Sequence, residues 1–207
     1  MAISDKQIFL ASRSPRRREL LQQIGVGHEL LLLRVAPQRG FDVDESPRAG
    51  EMPRTYALRV ASAKASVGLN VMSRRACMLK PVLAADTTIA LDNRIIGKPQ
   101  DSEHAQEILA QLSGRDHLVI TAVAMAYADR FETRVSESRV WMKPLDPQVI
   151  RRYIQSGEPM DKAGAYAVQG RAAAFITRIE GSYSGIMGLP LAETAELLAI
   201  FGIEVGR

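Results

Sequence analysis

The feature that most constrains the fold is an apolar run over residues 81–91 that is interrupted by one carboxylate, Asp86. An apolar run of this length predicts a buried β-strand. The dipeptide Asp92-Asn93 predicts a tight turn, and residues 94–97 then return as a hairpin partner. The chain is therefore expected to contain a sheet with a buried strand and an antiparallel pair.

Helix and strand patterns alternate along the rest of the chain. Strands are expected at residues 8–11, 28–35, 118–127, 134–142, 165–170 and 174–179, and helices at residues 14–24, 55–67, 102–112, 147–156 and 190–201. The first helix has Ser14 as a favoured N-cap and Pro15 as a favoured first residue. Residues 36–53, which contain several prolines and glycines, are expected to form a loop. Interleaved helices and strands with hairpins predict an α/β class with a mixed sheet.

Length and composition set broad limits on the protein. Its 207 residues suit a single domain over residues 1–207, with two lobes that share a cleft. The single cysteine, Cys77, cannot form an internal disulfide and has no metal-binding spacing. No apolar run approaches the ~20 residues that cross a bilayer, and the N-terminus lacks a secretory pattern, so a cytoplasmic location is expected. The net charge of +4 favours an anionic partner.

A basic cluster at residues 12–18 lies where the first predicted strand ends and the first predicted helix begins. Such a junction supplies free backbone N–H groups and the positive end of a helix dipole, which suit a phosphate group. Serine hydroxyls and arginine guanidinium groups add matching donors. A solvated basic patch and a nucleic-acid face are the alternatives. The chain has no glycine-rich Walker pattern, which argues against an ordinary P-loop.

Asp86 lies inside an apolar strand, where an ionised side chain is costly unless something pairs with it. A bound divalent cation, or a water to be deprotonated, would account for it. A structural aspartate bonded to nearby backbone amides is the alternative. Lys98 follows the hairpin partner and is expected near Asp86 in space, and Lys64 is a second candidate cation. Either lysine could also be an ordinary surface residue.

Two loops rich in small residues complete the candidates. Residues 157–170 have glycines at both ends and in the middle, which is typical of a tightly turned functional loop. Gln169 in this loop can donate and accept hydrogen bonds, so it can read the edge of a base. Residues 180–191 precede the last predicted helix, and they either line the same cleft or cap that helix. A turn-rich connection is the alternative for most of residues 157–170.

Seven segments occur in chain order and cover nearly the whole chain. They are LASRSPRRRELLQQIG, VDESPRAGE, VASAKA, VLAADTTIALDNRIIGKPQD, LSGRDHLVITAVAMA, SGEPMDKAGAYAVQG and GSYSGIMGLPLAET. Together they resemble the Maf family of nucleoside triphosphate pyrophosphatases. Through the segment MDKAGAYAVQG, the chain resembles the dTTP/UTP branch of the family more closely than the 7-methyl-GTP branch.

The resemblance implies a fold, an activity and an assembly. The implied fold is an elongated mixed β-sheet flanked by helices with a deep central cleft, similar to inosine-triphosphate pyrophosphatases and other Maf/Ham1 proteins. The implied activity is hydrolysis of dTTP and UTP, or of modified pyrimidine nucleotides, to the monophosphate and pyrophosphate. The family needs a divalent cation, Mg²⁺ or Mn²⁺, and often forms homodimers. No stable partnership with nucleic acid or membrane is expected.

The resemblance also implies roles for single residues. The general base is expected to be Asp86. The positions that select the base are Arg16, Thr87 and Gln169. The positions that bind the phosphates are Ser12, Arg17, Lys64 and Lys98. The metal ligands are expected to be Glu45 and Asp86.

The chain departs from the family pattern at three places. Ala84 stands where a glycine is usual, which an extended backbone would tolerate. Arg13 replaces a common small residue and adds a cation with no assigned role. Residues 33–43 form a longer stretch than is usual, so the position of Glu45 is less firmly fixed than that of Asp86.

Two functions of other classes remain as alternatives. A nucleic-acid-binding module would place residues 16–18 on a strand or duplex and would interleave them with exposed aromatic residues. Aromatic residues make up only 5% of the chain and none adjoins these arginines, which counts against that alternative. A regulator of cell division that binds nucleotides with little catalysis is the second alternative, and binding without hydrolysis would distinguish it.

Overall fold

The centre of the fold is a mixed seven-stranded sheet. A computed structural model of the chain describes residues 7–33, 43–74 and 78–206. The strands are β1 (Ile8–Leu10), β2 (His28–Leu30), β3 (Val82–Leu91), β4 (Arg94–Ile96), β5 (Asp116–Tyr127), β6 (Arg130–Met142) and β7 (Ile176–Glu180). Their order is β2-β1-β3-β5-β6-β7, and β4 pairs with β3 outside this order. Strand β1 is parallel to β2 and β3, whereas the other pairs are antiparallel. The predicted α/β class with a mixed sheet is confirmed.

Helices cover both faces of this sheet. They are α1 (Pro15–Gln23), α2 (Pro53–Arg74), α3 (Ser102–Leu112), α4 (Pro147–Gln155), α5 (Tyr183–Met187) and α6 (Leu191–Ile200), with 3₁₀ turns at Ala163–Ala165 and Arg171–Phe175. One face packs on α2, and the other packs on α1 and α6 at one end and on α3 and α4 at the other end. No helix among the described residues is both long enough and apolar enough to span a bilayer.

One edge of β3 is interrupted, and the interruption determines where a cleft can form. On one side, β5 pairs with β3 along residues 82–90. On the other side, β1 pairs only with Val82 and Leu83, and β4 pairs only with Ile89–Leu91. Within the part of the chain that the structure describes, residues 84–88 therefore have no strand partner on that edge. The gap lets the middle of this strand, at Asp86 and Thr87, border a cleft.

Helix α2 approaches the sheet closely because its buried face consists mainly of small residues. Ala57, Ala61 and Ala65 recur at helical spacing and are fully buried against the sheet. Gly68 continues this face, and a Cβ atom there would lie 2.6 Å from Val82 Cγ1. The short distance between helix and strand brings side chains of α2 within reach of polar groups on β3.

The structure corrects several predicted elements. Residues 165–170 do not form a strand, because Gly164 and Ala165 have positive φ angles of 68° and 59° and end the 3₁₀ turn Ala163–Ala165. Strand β2 ends at Leu30, and residues 34–35 of its predicted extent lie outside the described residues. The last predicted strand begins at Ile176, after a 3₁₀ turn, and the short helix α5 was not predicted.

Helix boundaries differ in smaller ways. Helix α2 begins at Pro53 and continues to Arg74, beyond the predicted end. Ser14 is the N-cap residue of α1 as predicted, but its side chain makes no capping hydrogen bond. Instead, the backbone N–H of Ser14 donates to Ser12 Oγ at 3.1 Å. Residues 43–52 are loop as predicted, whereas residues 36–42 and Cys77 lie outside the described residues.

Candidate active site

A cleft of about 1450 Å³ opens beside the interrupted edge of β3. Its walls come from the turn before α1, from α2, from the hairpin partner β4 and from the loops on either side of the 3₁₀ turn at Ala163–Ala165. The cleft brings together all the side chains that the sequence indicated, namely Ser12, Arg16, Arg17, Glu45, Lys64, Asp86, Thr87, Lys98 and Gln169. These nine residues therefore border one cavity.

Asp86 is buried, with 6% of its surface exposed, and it is paired with a cation. Lys64 Nζ, from α2, donates to Asp86 Oδ1 at 2.8 Å and lies 3.0 Å from Glu45 Oε2. One ammonium group thus bridges two carboxylates that lie 41 positions apart in the sequence. Lys98 lines the same cleft but is exposed, and it forms no salt bridge with the described residues.

The donor set around Lys64 fits a divalent cation. The carboxylate oxygens of Glu45 and Asp86 converge on one positive charge, and such oxygens are the ligands that Mg²⁺ and Mn²⁺ prefer. Among the described residues there is no cluster of three or more acidic, histidine or cysteine side chains that could hold a metal. A metal held here would take its remaining ligands from water and from substrate phosphates, as is usual for Mg²⁺.

The loop that carries Glu45 is fastened to α2 by two residues that the sequence reasoning missed. Tyr56 Oη donates to the backbone oxygen of Glu45 at 2.9 Å. Arg59 binds the carboxylate of Glu51 with two hydrogen bonds, at 2.7 and 2.8 Å, and donates to the backbone oxygen of Ser46. The hydrogen bonds from Arg59 lower the pKa of Glu51 to about 2. The spacing of Tyr56 and Arg59 on one helix was visible in the sequence, but their partners were not.

Arg17 is held by protein atoms from three separate elements. Its Nε–H donates to the backbone oxygen of Gly188 at 2.7 Å, Nη1 donates to Ser12 Oγ at 3.2 Å, and Nη2 donates to Thr87 Oγ1 at 3.3 Å. Burial lowers its pKa, although Asp86 and Glu45 oppose this shift. No salt bridge joins Arg17 to another described residue. A fixed cation without a carboxylate in contact is suited to bind an anion.

Thr87 points away from Asp86, because successive side chains of a strand project to opposite faces. Its hydroxyl lies 2.9 Å from that of Thr121, which in turn lies 2.8 Å from the backbone oxygen of Gly185 in α5. Since a carbonyl oxygen can only accept, Thr121 donates to Gly185, and Thr87 donates to Thr121. Thr87 therefore accepts the hydrogen bond from Arg17 and can only accept further bonds from a ligand.

The other two base-selecting candidates lie on the cleft wall. Gln169 is exposed, and its side chain makes no hydrogen bond with the part of the chain that is described. Arg16 is half-buried in the first turn of α1. Burial lowers the pKa of Lys162, and the nearby positive charge of Arg16 lowers it further. Gln169, Arg16 and Thr87 thus border one cavity from three different elements.

A buried histidine supports the wall that carries Gln169, and the sequence analysis did not single it out. His117 is 2% exposed, and its Nε2 lies 2.7 Å from the hydroxyl of Tyr166, which lines the cleft. The two rings meet edge to face, with centroids 5.5 Å apart. Burial lowers the pKa of His117 to about 4, and Asp116 opposes this shift. The neutral ring is therefore the form that is buried at neutral pH.

The departures from the family pattern are accommodated locally. Ala84 is fully buried in β3, within the extended backbone that was expected to tolerate it. Arg13 is exposed and donates from Nη2 to the backbone oxygen of Leu33 at 3.2 Å. Most of the stretch over residues 33–43 lies outside the described residues.

Proteins named dTTP/UTP pyrophosphatase are similar to the chain. The one from Nitrosomonas europaea is 52% identical and covers 96% of each chain. The one from Aromatoleum aromaticum is 56% identical over 95% of this chain and 96% of its own, and the one from Chromobacterium violaceum is 46% identical over 99% and 100%.

Two further comparisons concern the fold and the family. The solved structure of the Staphylococcus aureus Ham1 protein is 16% identical, covers 95% of this chain and 97% of that chain, and gives a TM-score of 0.41. The family described as "Maf-like protein" matches residues 7–201. Since this match spans nearly the whole chain, the protein belongs to the Maf family.

Proposed function

We propose that the protein is a nucleoside triphosphate pyrophosphatase that hydrolyses dTTP and UTP to the monophosphate and pyrophosphate. The observation that carries the proposal is that one cleft combines the Asp86–Lys64–Glu45 cluster, in which Asp86 is buried, with the fixed guanidinium of Arg17. The first group suits water activation, and the second suits an anionic substrate. The names of relatives that are about half identical over nearly their whole length support this choice of reaction.

The triphosphate is proposed to lie along the turn between β1 and α1. This turn offers the hydroxyl of Ser12, the guanidinium of Arg17 and the N-terminal backbone N–H groups of α1. Lys98 and Lys64 border the same cleft and would contact further phosphate oxygens. The negative charge of the substrate would compensate Arg17, which has no carboxylate in contact within the described residues.

Asp86 is the proposed general base. Its carboxylate would orient a water molecule and accept a proton from it, while the water oxygen forms a bond to the α-phosphorus. The bond from the α-phosphorus to the bridging oxygen breaks, and pyrophosphate leaves with the electron pair. A divalent cation, when held by Glu45 and Asp86, would neutralise charge on the phosphate oxygens. Positioning and electrostatics supply most of the catalysis in such reactions.

Gln169, Arg16 and Thr87 are the proposed readers of the base. Uracil and thymine present acceptor, donor and acceptor groups in turn on their pairing edge, whereas cytosine presents acceptor, acceptor and donor. Arg16 can only donate, so it matches a carbonyl oxygen and not the amino group of cytosine. The amide of Gln169 can match two neighbouring groups of uracil if it is held in place. The homodimer implied by the resemblance stays a prediction.

The proposal is tested by pyrophosphate release from a panel of normal and modified nucleoside triphosphates, with Mg²⁺, with Mn²⁺ and with EDTA. We expect metal-dependent release with dTTP and UTP preferred. Asp86→Asn should keep the fold and lower kcat by roughly 10²–10⁴-fold, the usual contribution of a general base. Asp129→Asn, in the exposed turn between β5 and β6, is the matched control. Nucleotide binding without any release by the wild-type protein would contradict the proposal.

A further inference from the structure

The side chain proposed to read the base is not itself held in place. Gln169 is exposed, and its amide has no hydrogen-bond partner among residues 7–33, 43–74 and 78–206. An amide can also turn over, which exchanges its donor and acceptor and would let it match cytosine. Because Arg16 can only donate, it distinguishes uracil from cytosine where the amide of Gln169 alone does not. This discrimination requires a fixed distance between Arg16 and the backbone of Gln169.

The backbone that follows Gln169 is held by one carboxylate. Glu158 Oε2 accepts the N–H of Arg171 at 3.0 Å, and Oε1 accepts the N–H of Ala172 at 3.4 Å. The hydroxyl of Tyr153, which is buried, donates to Oε1 at 2.9 Å. Glu158 thus binds the two N–H groups that begin the 3₁₀ turn Arg171–Phe175 and anchors them to helix α4 through Tyr153.

Gly170 allows this carboxylate to approach the chain directly beside Gln169. A Cβ atom at Gly170 would lie 2.3 Å from Glu158 Oε1, so any larger residue would displace the carboxylate. The φ angle of Gly170 is −101°, which other residues adopt readily. The glycine is therefore required by the contact and not by backbone strain. The N–H of Gly170 also donates to the backbone oxygen of Ala167 at 3.1 Å, which closes a turn around Gln169.

The charge state of Glu158 is consistent with this contact. Burial opposes its ionisation, but the N–H of Arg171, the hydroxyl of Tyr153 and the N–H of Ala172 together lower its pKa. The ionised carboxylate can accept all three hydrogen bonds, whereas an amide at this place would have to turn a donor toward one of them. Glu158 does not border the cleft, so it acts on a substrate only through the chain that it holds.

We propose that Glu158 is a positioning residue that fixes the backbone carrying Gln169 and thereby sets the preference for uracil and thymine over cytosine. This inference rests on the proposed function, because it concerns the base of the same nucleotide substrate. It adds a residue outside the cleft, together with Tyr153 and Gly170, to the set that determines specificity.

The test compares pyrophosphate release from UTP and CTP by the full-length wild-type protein and by single variants. Glu158→Gln should lower the ratio of kcat/KM for UTP over CTP by roughly tenfold, which corresponds to one lost hydrogen-bond match. The change should lie in KM for UTP, with kcat within about threefold, because the groups around Asp86 are untouched. Tyr153→Phe should act in the same direction but more weakly, since the two backbone contacts remain. Glu107→Gln, on the exposed face of α3, is the control.

A double-mutant cycle tests whether the contact itself matters. Gly170→Ala should lower the UTP/CTP ratio in the wild-type background and have no further effect in a Glu158→Ala background, where the clash is gone. Additive effects would overturn the proposal, as would an unchanged ratio in folded Glu158→Gln protein or an equal fall in kcat for both nucleotides. If the wild-type protein released no pyrophosphate at all, the proposed function would fail, and this inference with it. A wild-type preference for UTP that Glu158→Gln leaves intact would contradict only the inference.

Discussion

The backbone oxygen of Gly188 accepts the Nε–H of Arg17 at 2.7 Å, and this bond joins residues that lie 171 positions apart in the sequence. Gly188 has a φ angle of 112° and ends helix α5, so its carbonyl oxygen is aimed by a turn that favours glycine. The bond fixes the plane of the guanidinium group, and the two Nη atoms are left to face Ser12 and Thr87. Arg17 is thus oriented before any ligand arrives.

This orientation predicts that Arg17→Lys is not a conservative change. A lysine has one nitrogen and cannot maintain three hydrogen bonds in fixed directions. We expect kcat/KM for UTP to fall by roughly 10²-fold, comparable to the loss of one fixed donor from an active site. Steady-state kinetics measure the effect. Arg18→Lys, in the same helix but outside the cleft, should stay within about twofold of the wild type. Equal activities of the two variants would show that the guanidinium geometry is unimportant.

Lys64 and the metal are expected to compete for the same two carboxylates. Lys64→Met removes the ammonium from between Glu45 and Asp86, which should lower the free energy of unfolding by roughly 3 kcal/mol. Millimolar Mg²⁺ or Mn²⁺ should then raise the melting temperature of the variant by several degrees more than that of the wild type. Differential scanning fluorimetry, with and without EDTA, measures this shift. In the control Lys98→Met, the metal should raise the melting temperature by the same amount as in the wild type. An identical shift in all three proteins would contradict the assignment of Glu45 and Asp86 as metal ligands.

The hydroxyl of Thr121 is expected to support Thr87 and α5 together. Thr121 is fully buried, and Thr121→Val removes a donor from the backbone oxygen of Gly185 and removes the acceptor of the Thr87 hydroxyl proton. The free energy of unfolding should fall by about 1–3 kcal/mol, and KM for UTP should rise. Thr121→Ser keeps the hydroxyl, so its free energy of unfolding and its KM for UTP should stay close to those of the wild type. Urea denaturation and kinetics on the two variants test this, and a loss in Thr121→Ser as large as the loss in Thr121→Val would show that the hydroxyl is not the group that matters.

His117 is expected to make stability depend on pH. Its pKa is lowered by burial to about 4 in the folded protein, against an ordinary value of 6.5, so the unfolded chain binds a proton in this window that the folded chain does not. The free energy of unfolding should therefore fall as the pH falls from about 6.5 to about 4, by roughly 3 kcal/mol from this group. Above pH 6.5 the group contributes no pH dependence.

Urea denaturation across pH 4–8 measures this dependence as a difference between wild type and variants. His117→Gln removes the titrating group, so its stability should fall less steeply over the same window. Tyr166→Phe removes the hydrogen-bond partner but keeps the burial that causes the shift, so it should retain the wild-type slope. A wild-type slope in His117→Gln would exclude His117 as the source.

Local patterns in the sequence predicted the elements whose structure is locally determined. Strand β3 and its hairpin were predicted because an apolar run and an Asp-Asn turn specify them without help from distant residues, and Asp92 and Asn93 do adopt positive φ angles. Residues 165–170 were wrongly predicted as a strand because Ala165 has a positive φ angle that alanine rarely adopts. Helix α5 was missed because five residues with a serine and a glycine have little intrinsic preference for a helix.

The resemblance identified the residues that line the cleft, but not how they contact one another. The bridge from Lys64 to Glu45 and the bond from Arg17 to Gly188 each join distant segments. No local pattern reports such contacts, since they depend on how helices and loops pack on the sheet. His117 and Glu158 were overlooked for the same reason, because each acts through a partner that only the folded chain supplies.

The close packing at Gly68, a residue that does not line the cleft, sets the distance between helix α2 and strand β3. Gly68 lies one helical turn after Lys64, and a single added carbon there would press on Val82, four residues before Asp86. Moving α2 outward would separate the ammonium from its carboxylates although neither has been altered. A systematic survey of substitutions scored by activity would thus mark position 68 as intolerant, together with the residues of the Asp86–Lys64–Glu45 cluster. Intolerance at position 68 would thus report the spacing between helix and sheet and no direct contact with a substrate.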